Sequence, residues 1–282
     1  MFYRVWLGLM ALAAWAATAA PADAQAYPAA DASNANGVVW NNAATTTESH
    51  PRINATIDAG VTEPLPPQLE QQVEQRLREN LSPELLQNFG LFIYVSKAEI
   101  GPWKQRMLVF QKVGDDLLPL FDWPVSTGRE TVEADAQGVE LGTNTPSGYF
   151  ELDPKRMFVD YRSTQWNEPM PYAMFFNWMD HGTLTGLAIH AATDEAIAQL
   201  GTRASAGCVR LSPDNARTLF NLVRENYKGM APKFAFDKYT STIMNNGLVL
   251  HDPTGNVVMT PGYSVLVYVD DYGGESLEAK AY

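Results

Sequence analysis

The hydrophobic period of this 282-residue chain changes after Gly90, and that change restricts the folds open to it. Before Gly90, Leu69, Val73 and Leu77 recur at four-residue steps, and Ser82 followed by Pro83 and Glu84 supplies a cap and first turn. Two short helices are therefore predicted between Pro67 and Asn88. After Gly90 the chain runs in β-branched and aromatic stretches broken by Gly, Pro and Asp: Leu91 to Ser96, Arg106 to Lys112 and Leu117 to Ser126. These are strands with short connections. Gly148 to Leu152, Tyr172 to Asn177, Gly186 to His190 and Tyr263 to Val269 read as further strands, and 246 to 260 as a hairpin around Pro253, Thr254, Gly255 and Asn256. Helices return at Asp194 to Leu200 and at Pro213 to Tyr227. The second opens with Ser212 as cap and Pro213 in the first turn, then sets Ala216, Leu219, Phe220 and Val223 on one face. The class expected is mainly β with α (α+β), without internal repeats.

The first 26 residues read as a signal peptide. A short segment ending at Arg4 precedes an apolar run from Val5 to Ala20, and the triplets Ala22, Asp23, Ala24 and Ala24, Gln25, Ala26 fit the small-x-small cleavage rule. An uncleaved anchor is the alternative, although the run is short for a bilayer. Export to the periplasm is the expectation. Residues 27–66, rich in Ala, Asn, Thr and Pro, read as a flexible leader, 67–89 as a helical N-terminal segment, 90–270 as the main domain and 271–282 as an acidic tail. With 46% hydrophobic and 18% charged residues the chain is globular. Its net charge of -12 argues against nucleic acid and anionic lipid as partners.

A secreted chain with one cysteine cannot close an internal disulfide, so Cys208 is either a buried filler or a reagent. As a reagent it needs a base, because the thiolate is the nucleophile. Of the four histidines, His50 lies in the leader, His181 in the loop before the His190 strand and His251 in the 246–260 hairpin. His190 ends the apolar strand Leu187 to His190, where a rigid element delivers an imidazole at its tip. Ser205, Ala206 and Gly207 are small, so backbone N–H groups can converge beside the sulfur. Arg210 either binds a substrate carboxylate or ties a loop to an acidic neighbour. No His, Cys and carboxylate spacing suits zinc, and neither a metal nor a cofactor is expected.

Those residues resemble the signature of the L,D-transpeptidase catalytic domain, the YkuD-type family of cell-wall enzymes. His190 is followed by residues 191–204 and then by Ser205, Ala206, Gly207, Cys208, Val209 and Arg210. Val125 to Gly128, Thr145 to Phe150, Met170 to Met174 and the helix after Ser212 fall in the family's order. The resemblance covers 90–230 plus the strand near 262–269. It implies mixed β-sheets forming a sandwich with a few flanking helices, and a groove over Cys208.

By the same resemblance Cys208 is the nucleophile, His190 its base, and the Ala191 carbonyl the partner that orients the imidazole. Gly207 shapes the oxyanion turn, and Arg210, Ser205 and Tyr172 contact substrate. The implied substrate is a peptidoglycan tetrapeptide stem. Attack at its third residue expels D-Ala, and the acyl group passes to a stem amine, a D-amino acid, a lipoprotein lysine or water. Carbapenems acylate active members of the family. Hydrolytic use of the same site, as an L,D-carboxypeptidase, amidase or endopeptidase, stays open, as does a non-catalytic wall-binding homologue. Ala206 replaces the family's usual His, and Ala191 its usual Gly. Residues 231–260 read as an insertion before the last strand, serving either as a lid or as decoration.

Overall fold

The computed structural model describes residues 65–274. The segment expected as a signal peptide, the expected leader up to residue 64 and the tail from residue 275 lie outside the described residues.

Two helices open the fold, α1 (Pro67–Asn80) and α2 (Pro83–Asn88), the second capped by Ser82 Oγ, which accepts from Leu85 N at 3.2 Å. The strands follow in chain order as β1 (Leu91–Ser96), β2 (Arg106–Val113), β3 (Asp116–Pro124), β4 (Val132–Ala134), β5 (Glu140–Gly142) and β6 (Gly148–Phe158). Next come β7 (Ala173–Phe176), β8 (Met179–Asp180), β9 (Thr183–Leu184) and β10 (Ala188–Ala191). A 3-10 helix at Asp194–Gln199 leads to β11 (Val209–Leu211) and α3 (Pro213–Asn226). Strands β12 (Lys228–Pro232), β13 (Phe236–Asp237), β14 (Thr242–Ile243), β15 (Met259–Tyr263) and β16 (Val265–Asp270) complete the chain.

Eight strands form one mixed sheet in the order β11-β10-β7-β6-β16-β1-β2-β3. The pairs β1–β16 and β10–β11 are parallel and the others antiparallel. Strand β6 serves both halves of the sheet. Its first residues, Gly148 to Glu151, pair with β16, and from Leu152 on it pairs with β7, with a register shift between Leu152 and Met157. At that irregularity Asp153 accepts from Lys155 N at 2.9 Å and from Arg156 Nε at 2.7 Å, which fixes the bend. The two outer edges then meet beyond β3, where Ser126 N donates to Arg210 O at 3.0 Å and Arg210 N to Ser126 O at 2.8 Å.

Period-two alternation divides the strand residues between two cores. Leu91, Ile93 and Val95 of β1 face an inner core with Phe150, Ile189, Val209 and Val267, and α3 adds Ala216, Leu219, Phe220 and Val223 to it. Each of the larger of these side chains contributes about 1.5–3 kcal/mol by leaving water, and Leu219→Ala costs about 2–5 kcal/mol. Phe92 and Tyr94 point the other way and pack with Val73 and Leu77 of α1, Leu85 of α2, and Leu266.

Residues 231–260 belong to that outer cluster through Ala231, Phe234 and Val249. The fold is the expected mainly β arrangement with few helices. Most strand limits shift by one to a few residues, as in Ala188–Ala191 for the strand expected at Gly186 to His190. The larger differences are that the strand expected at Gly148 to Leu152 runs on to Phe158, and that the helix expected at Asp194 to Leu200 is a 3-10 turn.

Candidate active site

Strands β10 and β11 set the chemistry. Ile189 pairs with Val209 and His190 with Arg210, and in a parallel pair such partners project to the same side. Ile189, Ala191, Val209 and Leu211 enter the inner core. His190 and Arg210 therefore face outward, into a groove of 690 Å³ whose lining also includes Cys208 and Ala206.

The turn that presents Cys208 is held from beneath. Ser205 is fully buried; its Oγ donates to the Cys208 carbonyl at 2.5 Å and accepts from Gly207 N at 3.1 Å. Thr145 Oγ1 donates to Gly207 O at 2.7 Å and accepts from Gly128 N at 2.8 Å. Thr127 O accepts from Ala204 N at 2.9 Å and Ser205 N at 2.8 Å. The segments 125–128 and 145–150, far away in sequence, thus meet as a cradle for one turn. Gly207 has φ +115°, and a Cβ there would lie 3.0 Å from Asn144 O and 3.0 Å from Leu187 Cδ2, so any other residue is strained.

His190 is 3% exposed, and its Nδ1 lies 2.8 Å from Ala191 O. A carbonyl only accepts, so Nδ1 carries the proton and Nε2 is left with its lone pair. Burial, with the Arg210 cation second, pushes the imidazole down to about 4, against the smaller upward effect of the Ala191 bond. Burial likewise pushes the Cys208 thiol up to about 11, opposed by the Ala188 backbone bond and Arg210. Both groups are neutral at rest. The thiol donates to Gly186 O at 3.6 Å, and among the described residues no hydrogen bond joins it to His190.

Arg210 is tied down: its Nη2 donates to Glu168 Oε2 at 2.5 Å and its Nη1 to Ala204 O at 3.4 Å. Of the two roles open to it in sequence, the loop tie is the one the resting structure displays. Two substrate contacts expected from sequence are corrected. Ser205 has no surface to offer a ligand and acts as the brace of the Cys208 turn. Tyr172 packs edge-on against Phe220, with centroids 5.7 Å apart, on the core side rather than in the groove. His181 pairs with Asp180 at 2.8 Å on the rim, and His251 with Glu84 at 2.7 Å far from it. Sequence reasoning missed the braces Thr127 and Thr145, which stood in recognised segments without an assigned role, and Glu168, for which there was no local signal.

None of the residues lining the groove comes from 231–260, the segment expected as a lid or as decoration. It buttresses a wall instead. Ile243 O accepts from Trp178 Nε1 at 3.0 Å, Ser241 O from Gly182 N at 2.9 Å, and Thr242 Oγ1 from His181 N at 3.1 Å. Among the described residues no group of His, Cys, Asp and Glu has the make-up of a metal site, and no helix is long and apolar enough to cross a membrane.

No curated protein matches the chain. Among solved structures it is similar to an L,D-transpeptidase from Mycobacterium smegmatis, at 16% identity and a TM-score of 0.35 over 64% of this chain and 59% of that one. An L,D-transpeptidase from Xylanimonas cellulosilytica matches at 17% and 0.36, over 71% and 69%. L,D-transpeptidase 3 from Mycobacterium tuberculosis, in complex with a faropenem-derived adduct, matches at 14% and 0.30, over 64% and 60%. The chain thus spans about three fifths of the length of the first of these. The family model for the L,D-transpeptidase catalytic domain (YkuD) matches residues 93–254, more than half of the sequence and the whole of the cradle, groove and Cys208 turn, and the chain belongs to that family.

Proposed function

We propose that this chain is a cysteine L,D-transpeptidase acting on peptidoglycan tetrapeptide stems in the periplasm, to which its N-terminal signal peptide exports it. The observation that carries the proposal is the placement of Cys208 and His190 on one groove face, with His190 Nδ1 bound to Ala191 O and Nε2 left as the basic atom.

The neutral resting pair calls for general-base attack. As Sγ adds to the carbonyl of the stem's third residue, Nε2 takes the thiol proton. The imidazolium then returns that proton to the departing D-Ala amine, leaving a thioester. An incoming amine gives its proton to Nε2 as it attacks, and the sulfur leaves to be reprotonated as the acyl group is transferred. Because Gly207 N–H is held by Ser205 Oγ, the N–H of Cys208 itself is the donor this turn offers to the oxyanion. The acceptor is a stem amine, a free D-amino acid or a lipoprotein lysine, and water in its place gives hydrolysis.

Disaccharide tetrapeptide incubated with the purified protein and read by mass spectrometry tests this. The expected result is an acyl adduct on Cys208 and dimers or D-amino-acid exchange products, all absent in Cys208→Ala. Tripeptide alone would make the protein a hydrolase, and no adduct under reducing conditions would end the proposal.

A further inference from the structure

The ion pair between Arg210 and Glu168 crosses the groove beside the candidate nucleophile. Arg210 lies two residues after Cys208, on the same face, with its side chain 8% exposed. Glu168 comes from a hairpin that forms one wall. There Tyr172 N donates to Val159 O at 2.7 Å, Met170 N to Tyr161 O at 2.7 Å and Ser163 N to Glu168 O at 2.8 Å, and Asn167 turns the tip at φ +52°. The hairpin is fastened along its length by these backbone bonds, so the Glu168 side chain is not needed to hold it.

Two features separate this pair from a structural one. In the pair Arg106–Asp122 both side chains are buried, 10% and 8% exposed, and two parallel bonds of 2.7 Å join them. In Arg210–Glu168 the bond is single, and the carboxylate side chain is 53% exposed in an open groove. Such a contact contributes little net stability. A ligand carboxylate arriving bidentate at the same guanidinium would form the stronger arrangement. The two side chains also act on the thiol with opposite sign, Arg210 favouring its ionised form and Glu168 disfavouring it, which places both charges within reach of the sulfur.

We propose that Glu168 is a positioning residue that sets donor specificity: it occupies Arg210 in the resting protein and yields it to a carboxylate of the incoming acyl donor. That the donor is a stem peptide rests on the function proposed above; the competition for Arg210 does not.

Two small alkylating agents of similar size, one anionic and one neutral, read the competition. Cys208 of the full chain is alkylated by iodoacetate and by iodoacetamide, and the ratio of the two rates is compared between the native protein and Glu168→Gln. Thiol ionisation and general loosening affect both reagents alike and cancel in the ratio. Freeing Arg210 should raise the iodoacetate to iodoacetamide ratio roughly tenfold, the scale of one charge-assisted contact. An unchanged ratio overturns the proposal.

A second arm uses tetrapeptide stems with free or amidated carboxylates, where Glu168→Gln should favour acylation by the free acid over the amide. If the alkylation ratio rises but no stem acylates either protein, the transpeptidase function fails and the competition at Arg210 stands. If the stems acylate Cys208 but Glu168→Gln changes acid and amide equally and leaves the alkylation ratio unmoved, the function stands and the role of Glu168 fails.

Discussion

The imidazole of His190 is oriented by the residue that follows it in the chain: Nδ1 lies 2.8 Å from the carbonyl oxygen of Ala191. A backbone carbonyl orients the ring and fixes its tautomer without adding the charge a carboxylate would bring. With no anion to hold a proton on it, and burial and Arg210 both acting against one, the ring stays neutral over most of the pH range.

The pH profile of acylation follows. Acid removes the base only as His190 protonates near about 4, and the thiol ionises by itself only near about 11. Carbapenem acylation of Cys208, measured by intact mass, should therefore be level between about pH 5 and 8 and fall to half near pH 4. Iodoacetamide alkylation of the resting thiol should climb throughout this range. A plateau of alkylation at neutral pH would mean that a thiolate–imidazolium pair forms at rest, against this account.

Ser205→Ala removes the hydroxyl that serves the Cys208 carbonyl and the Gly207 N–H together. Both groups lose a partner beneath the turn, where Ser205 is fully buried, at a cost of about 1–3 kcal/mol. Thermal unfolding should shift down accordingly, and acylation should slow by roughly tenfold or more as the turn loses definition. If Ser205→Ala weakened stem-peptide binding alone, with turnover and melting temperature unchanged, the substrate contact first expected of it would be restored.

Much of this architecture was legible because local signals and tertiary outcome agree. Leu91 to Ser96 is a strand with the expected limits, and Ser212, Pro213 and the apolar stripe through Val223 form α3 as capping chemistry dictates. The far part of β6 was hidden because Asp153, Pro154, Lys155 and Arg156 read as a break, whereas Asp153 converts them into a bend within the strand. The paired strands β12 and β15 carry Gly, Pro and exposed residues, so they lack an alternating pattern. In the site, the proposed nucleophile Cys208 and base His190 lay within one short signature. The partner of Arg210 did not, because a half-exposed Glu168 forty-two residues away is set by tertiary placement alone.

Glu151 should shape the pH dependence of stability. Its neighbours Phe150 and Leu152 fill the inner core, while its own side chain lies on the other face with the residue 4% exposed. Burial pushes its carboxyl up to about 7, against an Asn177 Nδ2 contact of 3.3 Å and the Lys233 charge. From about pH 4.5 to 7 the unfolded chain releases this proton while the folded chain keeps it. Stability thus declines by roughly 1.4 kcal/mol per pH unit, about 3 kcal/mol in all. Glu151→Gln should unfold at a higher temperature than the native protein at pH 8 and alike near pH 4. Parallel melting curves for the two across that range would show that the carboxylate is not penalised.

Gly207→Ala tests whether the cradle beneath Cys208 is a matter of shape. The new Cβ would sit 3.0 Å from Leu187 Cδ2 and from Asn144 O. The leucine methyl can rotate away, but the Asn144 carbonyl is backbone, and the next residue holds Gly207 O through its hydroxyl. The turn itself must therefore move, from a φ of +115° that alanine rarely adopts, and the strain is about 1–3 kcal/mol. Movement there breaks the bond from Gly207 N to Ser205 Oγ and displaces both the sulfur and the Cys208 N–H. A shift of about 1 Å costs on the order of a hundredfold in rate. Strands β10 and β11 keep their own pairing and their core contacts, so cooperative unfolding should persist at a lower temperature. The expected signature is a folded protein whose Cys208 still titrates with a small thiol reagent but gains a carbapenem adduct about a hundred times more slowly. Native-like acylation in Gly207→Ala would show that the turn has more freedom than its contacts imply, and that the Cys208 N–H is not the donor on which acylation depends.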